Sequence, residues 1–127
     1  MNTPTERLTI TPFLQAHDLL SDALVIARSD LEKSGAIQHF KCCYELSWKF
    51  LRRVLASRGI EVNSPREIFR AAAQEKLIDN PETWFEFIGM RNQTVHTYNK
   101  VLAEEIFASL PAFKVELDKL KSVLLAL

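Results

Sequence analysis

Glycine and cysteine are both scarce in this chain. Only 3 of its 127 residues are glycine, which argues against a β-rich fold with many tight turns. The two cysteines are neighbours, Cys42 and Cys43, and adjacent cysteines in a helix do not readily reach disulfide geometry. We interpret them as reduced, partly buried thiols of a cytoplasmic protein. They lack companion ligands at suitable spacing, so neither a metal site nor a cofactor is predicted.

No sign of charge predominates, and no long apolar run is present. The 16 basic and 16 acidic residues cancel, which argues against binding nucleic acid by bulk charge alone but leaves a local basic patch open. The sequence contains no apolar segment long enough to predict a membrane span. The first seven residues lack the pattern of a signal peptide. The length predicts one domain over residues 1–127.

Apolar residues recur at helical spacing, beginning with a first predicted helix. Thr11 is suited to an N-cap and Pro12 to the first helical position. Leu19 and Ile26 widen the apolar stripe, and Ser34-Gly35 is expected to end the helix. The main stripe consists of Phe13, Ala16, Leu20, Leu24, Ala27 and Leu31.

A second helix is predicted from Ala36 to Arg58, closed by Gly59. Its apolar residues form two stripes, which favour either burial in a bundle plus a dimer contact or a thick monomeric core. Its polar side is either a solvated face or a strip that contacts phosphate. The first stripe is Ile37, Phe40, Tyr44, Trp48, Leu51 and Leu55, and the second is Cys43, Leu46, Phe50 and Val54. The polar side carries Lys41, Lys49, Arg52 and Arg53.

Three further helices complete the predicted fold. Ser64-Pro65 begins a short helix that ends near Ala73, and Asn80-Pro81 begins the next after a break near residues 77–79. The last helix spans about residues 101–127, and Pro111 is expected to kink or restart it. Long helices joined by short loops indicate an all-α, up-and-down antiparallel bundle of four main helices and a short one. A heptad seam on the last helix consists of Ile106, Leu110, Phe113, Leu117, Leu120, Leu124 and Leu127.

The segment Arg91 to Tyr98 concentrates reactive polar side chains. On a continuous helix each residue turns about 100°, so Arg91 and Tyr98 share a face while Arg91 and His96 lie about 140° apart. Helix geometry alone therefore gives no tight Arg–His pair. It favours a composite site between helices or between subunits.

These residue types suit metal-free cleavage of RNA. The Arg91 guanidinium can bind phosphate and stabilise a phosphorane, the His96 imidazole can move protons, and the Asn92 amide can orient a ligand. The ribose 2′-OH would be the nucleophile. No carboxylate cluster for Mg²⁺ and no Gly-rich phosphate loop accompanies them. The alternative is that Arg91 and His96 form ordinary surface ion pairs or caps.

The pattern Arg-Asn-x-x-x-His-x-Tyr at residues 91–98 resembles the signature of HEPN domains, in the subgroup paired with minimal nucleotidyltransferases. Residues 35–40, 44–49 and 64–67 are similar to that subgroup's nucleotidyltransferase substrate-binding proteins, and residues 111–113 and 118–121 resemble them more weakly. The likeness runs in order along nearly the whole chain.

The resemblance implies a helical bundle that forms a homodimer with two facing motifs in a shared cleft. It implies a partner, a minimal nucleotidyltransferase encoded nearby, and a ribonuclease toxin that this partner silences by adding AMP to Tyr98. By position, Arg91 and His96 would be catalytic and Asn92 supporting. Lys49, Arg52 and Arg53 are candidate contacts to RNA or nucleotide. The same subgroup also suggests an alternative, a non-catalytic subunit that presents a substrate or nucleotide to its transferase.

Overall fold

Five α-helices and one 3₁₀ turn make up the part of the chain that the computed structural model describes, residues 4–127, with side chains from residue 10 onward. Within that range there is no strand, so the predicted all-α class is confirmed. Residues 1–3, part of the segment predicted to lack a signal peptide, lie outside the described residues. The elements are α1 (Pro4–Ile26), α2 (Asp30–Ser57), α3 (Pro65–Gln74), α4 (Pro81–Gln93), the 3₁₀ turn (Thr94–His96) and α5 (Lys100–Leu125).

Contacts between side chains that are far apart in the sequence show the relative directions of the helices. Near their first turns, the Lys33 ammonium of α2 lies 3.2 Å from the Glu104 carboxylate of α5. Further along both helices, the Phe40 and Phe113 rings are 4.8 Å apart between centroids, so α2 and α5 run in the same direction. The short connection between α1 and α2 makes those two helices antiparallel.

The boundary between α1 and α2 differs from the prediction. Thr11 and Pro12 lie inside α1, and α2 begins at Asp30, so Gly35 lies within a helix instead of ending one. The reason is a capping box: the Ser29 hydroxyl accepts from the Glu32 amide, and the Glu32 carboxylate accepts from the Ser29 amide. Two otherwise unpaired amides are satisfied there, which fixes the helix start.

Three residues that were predicted to belong to the apolar stripe of the first helix are exposed. Leu31 belongs to α2 and is exposed, and Leu19 and Ile26 are exposed on α1. The starts of α3 and α4 and the glycine after α2 are confirmed: Ser64 and Asn80 cap α3 and α4, each followed by proline, and Gly59 follows α2 with a φ of 79°. Gly59 therefore occupies the left-handed region that favours glycine.

The seam of α5 forms the centre of the core. Its residues from Ile106 to Leu124 are buried as predicted, whereas Leu127 is 41% exposed. Pro111 lies inside α5 and does not restart the helix. Phe113 makes edge contacts with Phe87 and Trp84, at 5.0 and 5.9 Å between ring centroids. These contacts anchor α4, whose last turn carries Arg91 and Asn92, against the core.

The second stripe of α2 is buried only at Cys43. Leu46, Phe50 and Val54 are partly buried and pack against the core at its edge. Within residues 4–127, no helix is long and apolar enough to cross a membrane.

Candidate functional site

The polar segment is a helix end, a 3₁₀ turn and a new helix start, not one continuous helix. The α4 helix ends at Gln93, where the buried Thr94 hydroxyl donates to the Arg91 carbonyl at 2.6 Å. Asn99 is the N-cap of α5, and its side-chain oxygen accepts from the Leu102 amide. The prediction that Arg91 and Tyr98 share one helical face was therefore wrong, because the helix stops between them.

Arg91 is held by a carboxylate from α2. Its Nε donates to Glu45 Oε1 at 3.0 Å, and the indole of Trp48 donates to the other oxygen of Glu45 at 3.1 Å. The Arg91 side chain remains 29% exposed. Because a guanidinium has five N–H donors and this contact uses only Nε, the terminal amino groups stay available for an incoming phosphate.

His96 and Tyr98 form the second part of the site. The Tyr98 hydroxyl lies 3.4 Å from His96 Nδ1, and their rings meet edge to face at 5.9 Å between centroids. Both residues are exposed, Tyr98 by 85%. Nε2 of His96 has no protein partner among the described residues, so it is available to contact a bound ligand.

The structure brings His96 to Tyr98 but does not pair Arg91 with His96. The absence of a tight pair agrees with the prediction. The prediction assumed one continuous helix from Arg91 to His96, however, and that assumption is wrong. Asn92 is exposed on the last turn of α4, and its side chain has no hydrogen-bond partner among the described residues.

The predicted basic strip lies on α2. Lys49, Arg52 and Arg53 are all exposed, and the Lys49 ammonium lies 5.7 Å from the centroid of the Trp48 ring. At helical spacing Lys49 and Arg52 share the face of Glu45, which holds Arg91. The strip therefore begins beside the candidate site and continues along α2.

Two residues near Arg91 were not identified as site residues from the sequence, Glu45 and Tyr44. Burial first of all, and then the nearby Glu45 charge, raise the pKa of the Tyr44 hydroxyl to about 12, so it stays protonated at neutral pH. A signal was present in the sequence, because Glu45 and Trp48 are three apart on a helix and can contact each other. Nothing in the sequence, however, indicated that α4 would deliver Arg91 to them.

A pocket of about 230 Å³ lies beside Tyr98. Its lining comes from the starts of α2 and α5 and from the turn before α5, and includes Ile37, Thr97, Tyr98 and Ala103. Two ion pairs border it, Lys33–Glu104 at 3.2 Å and Lys100–Asp30 at 3.3 Å. Among the described residues, no group of three or more His, Cys, Asp or Glu side chains is arranged to hold a metal ion.

An all-α bundle that presents an Arg-Asn-x-x-x-His-x-Tyr turn at a helix end defines the class, an HEPN-like helical protein. The chain belongs to the family described as nucleotidyltransferase substrate binding protein like, whose profile matches residues 8–126.

Comparison with individual proteins agrees with this family. A relative named "Probable ribonuclease HepT", from Haemophilus influenzae, is 34% identical over 88 residues, which are 65% of this chain and 60% of that protein. The match thus spans less than two thirds of that relative's length.

Two solved structures share the fold. A protein from Thermus thermophilus superposes with a TM-score of 0.82 at 30% identity, covering 88% of this chain and 98% of the other. A Haemophilus influenzae structure described as the fold of a substrate binding domain of a nucleotidyltransferase has a TM-score of 0.71 at 28% identity, covering 97% and 98%.

Proposed function

We propose that this chain is a metal-independent endoribonuclease of the HEPN type that acts together with a minimal nucleotidyltransferase encoded nearby. The observation that carries the proposal is that Arg91, held by Glu45 near the end of α4, stands five residues from His96, which lies in an exposed turn and contacts Tyr98. The relative named as a probable ribonuclease supports it. The chain acts as a single domain in the cytoplasm.

The chemistry needs no group beyond these side chains and the RNA. One His96 nitrogen takes the proton from the ribose 2′-OH, whose oxygen attacks the neighbouring phosphorus. The bond from phosphorus to the 5′-oxygen breaks, and that oxygen receives a proton from the His96 imidazolium, which returns the imidazole to its starting state. The Arg91 amino groups stabilise the extra negative charge on the phosphoryl oxygens, and Asn92 orients the substrate. The products are a 2′,3′-cyclic phosphate and a 5′-hydroxyl end.

A homodimer completes this site in the proposal. Arg91 and His96 do not contact each other within one chain, and a second copy facing the turn would supply the complementary groups. The partly buried apolar residues at the edge of α2 and the exposed Val95 and Val101 beside the turn offer contact area. Lys49, Arg52 and Arg53 extend the basic surface for the RNA backbone.

In the proposal, modification of Tyr98 regulates the site. Its side chain is 85% exposed and its hydroxyl lies 3.4 Å from His96, so a transferase could reach it and a modification would obstruct the imidazole. AMP attached there would place a bulky anion beside the catalytic groups and exclude RNA.

Expression in bacteria with and without the neighbouring transferase tests this function. The chain alone should arrest growth, and His96→Ala and Arg91→Ala should not. Co-expression should restore growth and add AMP to the intact protein, with no adduct on Tyr98→Phe. Harmless expression of a soluble, unmodified wild type would refute the toxin, and an adduct that survives in Tyr98→Phe would refute the role of Tyr98.

A second candidate is a binding subunit that presents a substrate or nucleotide to the transferase without cleaving RNA. The solved Haemophilus influenzae structure described as a substrate binding domain supports it, as does the pocket beside Tyr98. In that case the purified chain would bind a nucleotide or raise the transferase's activity, and His96→Ala would leave both unchanged.

A further inference from the structure

Two arginines of α3 share one aromatic ring of α4. The guanidinium carbons of Arg66 and Arg70 lie 4.4 and 5.4 Å from the centroid of the Phe85 ring. Both arginines are exposed, and neither forms an ion pair with a described carboxylate. By contrast, Arg58 and Arg91 each have a carboxylate partner.

This arrangement leaves two positive charges without an anionic partner among the described residues. Arg66 and Arg70 are four residues apart on one helix, where like charges repel each other. Contact with Phe85 holds both guanidinium groups near one ring by cation–π attraction, which offsets part of that repulsion. Their N–H groups have no carboxylate partner among the described residues and can bind a phosphate, which guanidinium groups contact in bidentate fashion.

The same face of α4 leads from this pair to the candidate site. Phe85, Gly89 and Asn92 are spaced by four and three residues, so they lie on one side of the helix, about 10 Å from end to end at 1.5 Å per residue. A Cβ added at Gly89 would meet no atom within 4 Å, so the helix surface at Gly89 itself is open. An RNA backbone could approach α4 at that point.

We infer that Arg66, Arg70 and Phe85 form a subsite for a backbone phosphate of RNA that flanks the bond to be cleaved. The inference rests on the proposed function, because it assigns the substrate's path across that same site. It also explains how a chain with 16 residues of each charge sign can bind a polyanion, since the contact is local. RNA is favoured over an acidic protein because this face of α4 continues to Asn92. Asn92 is next to Arg91, which belongs to the candidate site for RNA cleavage.

Binding of a single-stranded oligoribonucleotide, measured by fluorescence anisotropy in the His96→Ala background, tests the subsite. Arg66→Gln with Arg70→Gln should weaken binding by about 5-fold at 0.1 M salt for one phosphate contact and about 25-fold for two, since each contributes roughly 0.7 to the slope of log affinity against log salt. Phe85→Leu should give a smaller loss. Lys119→Gln with Lys121→Gln, which also removes two charges, should bind like the parent.

Three outcomes separate the explanations. In the otherwise wild-type chain, Arg66→Gln with Arg70→Gln should slow RNA cleavage at low RNA concentration while thermal melting stays that of a folded protein. Unchanged RNA affinity and salt slope would overturn the subsite, and so would normal RNA binding combined with loss of the transferase complex, which would identify a protein-docking surface. If the wild type binds RNA through this pair but never cleaves it, the proposed function fails, and the pair remains a phosphate subsite for bound RNA without a cleaved bond beside it.

Discussion

At the scale of single residues, Glu45 determines what Arg91 can do. Its carboxylate takes one guanidinium donor at 3.0 Å and is itself fixed by Trp48. An arginine oriented in this way needs less reorganisation to meet a developing negative charge than one that is free in solvent. We therefore regard Glu45 as a positioning residue for Arg91 in the proposed reaction.

Glu45→Ala should lower the turnover of RNA about 10- to 100-fold, because small displacements of a catalytic group have effects of that size. Affinity for RNA should change much less, since the Arg91 charge remains. Steady-state cleavage with separate kcat and KM measures this, and Glu45→Gln, which keeps an acceptor oxygen, should recover part of the rate. The exposed Glu61→Ala serves as the control. Full turnover in Glu45→Ala would contradict the positioning role.

The neighbouring cysteines differ in reactivity. Cys43 is buried and its thiol lies 3.2 Å from the Ala16 carbonyl, and burial raises its pKa to about 12. The reactive thiolate is therefore almost absent from Cys43 at pH 8, whereas Cys42 is exposed. Iodoacetamide should add one group to the native protein, on Cys42, and two after denaturation. Rapid modification of Cys43 in the native wild type or in native Cys42→Ser would contradict the conclusion that Cys43 is buried and unreactive.

At the scale of elements, the sequence predicted helix starts well where proline follows a cap. Ser64 and Asn80 were identified correctly because both the cap and the fixed φ of proline are local signals. The start of α2 was missed because Ser29 and Glu32 carry the same capping logic without proline, and Ser34-Gly35 offered a competing helix end. Both candidates are local signals, and the capping box of Ser29 and Glu32 prevails; it places Ala36 and Ile37 inside α2, where both are buried.

A polar contact also ties α1 to α5. The buried His17 Nε2 lies 2.6 Å from the Asp118 carboxylate, which also accepts from Lys114 at 2.8 Å. Burial by itself raises the pKa of Asp118, but the hydrogen bonds from Lys114 and His17 outweigh it and lower the pKa overall. The ionised carboxylate therefore stabilises the folded chain.

Asp118→Ala should reduce the free energy of unfolding by about 1 kcal/mol at pH 7, a modest value because the carboxylate is half exposed. Since the folded pKa is lowered, the contribution is complete at neutral pH and is lost as pH falls through the folded pKa, below the ordinary aspartate range. The free energies of unfolding of the variant and the wild type, measured with urea, should thus become equal in acid. Asp22→Ala, exposed on α1, should match the wild type throughout, and a constant difference at all pH values would contradict the assignment.

At the scale of the whole molecule, the order and class of the elements followed from the sequence, but the site did not follow completely. Periodicity gave five helices because each buries a continuous apolar stripe, as the seam of α5 shows. The residues of the polar turn were predicted, whereas their neighbours were not, because Glu45 lies 46 residues from Arg91 and only tertiary packing brings them together. The arginine pair over Phe85 depends on tertiary packing in the same way.

Cleavage of RNA by the purified chain, expressed without any transferase, tests the central claim most directly. We predict fragments ending in 2′,3′-cyclic phosphate and 5′-hydroxyl groups, formed equally well with EDTA present. Loss of the general acid–base should slow His96→Ala by about 10²- to 10⁴-fold, and loss of the phosphate contact should slow Arg91→Ala as well. Intact RNA after incubation with folded wild type whose mass shows no adduct would contradict the account.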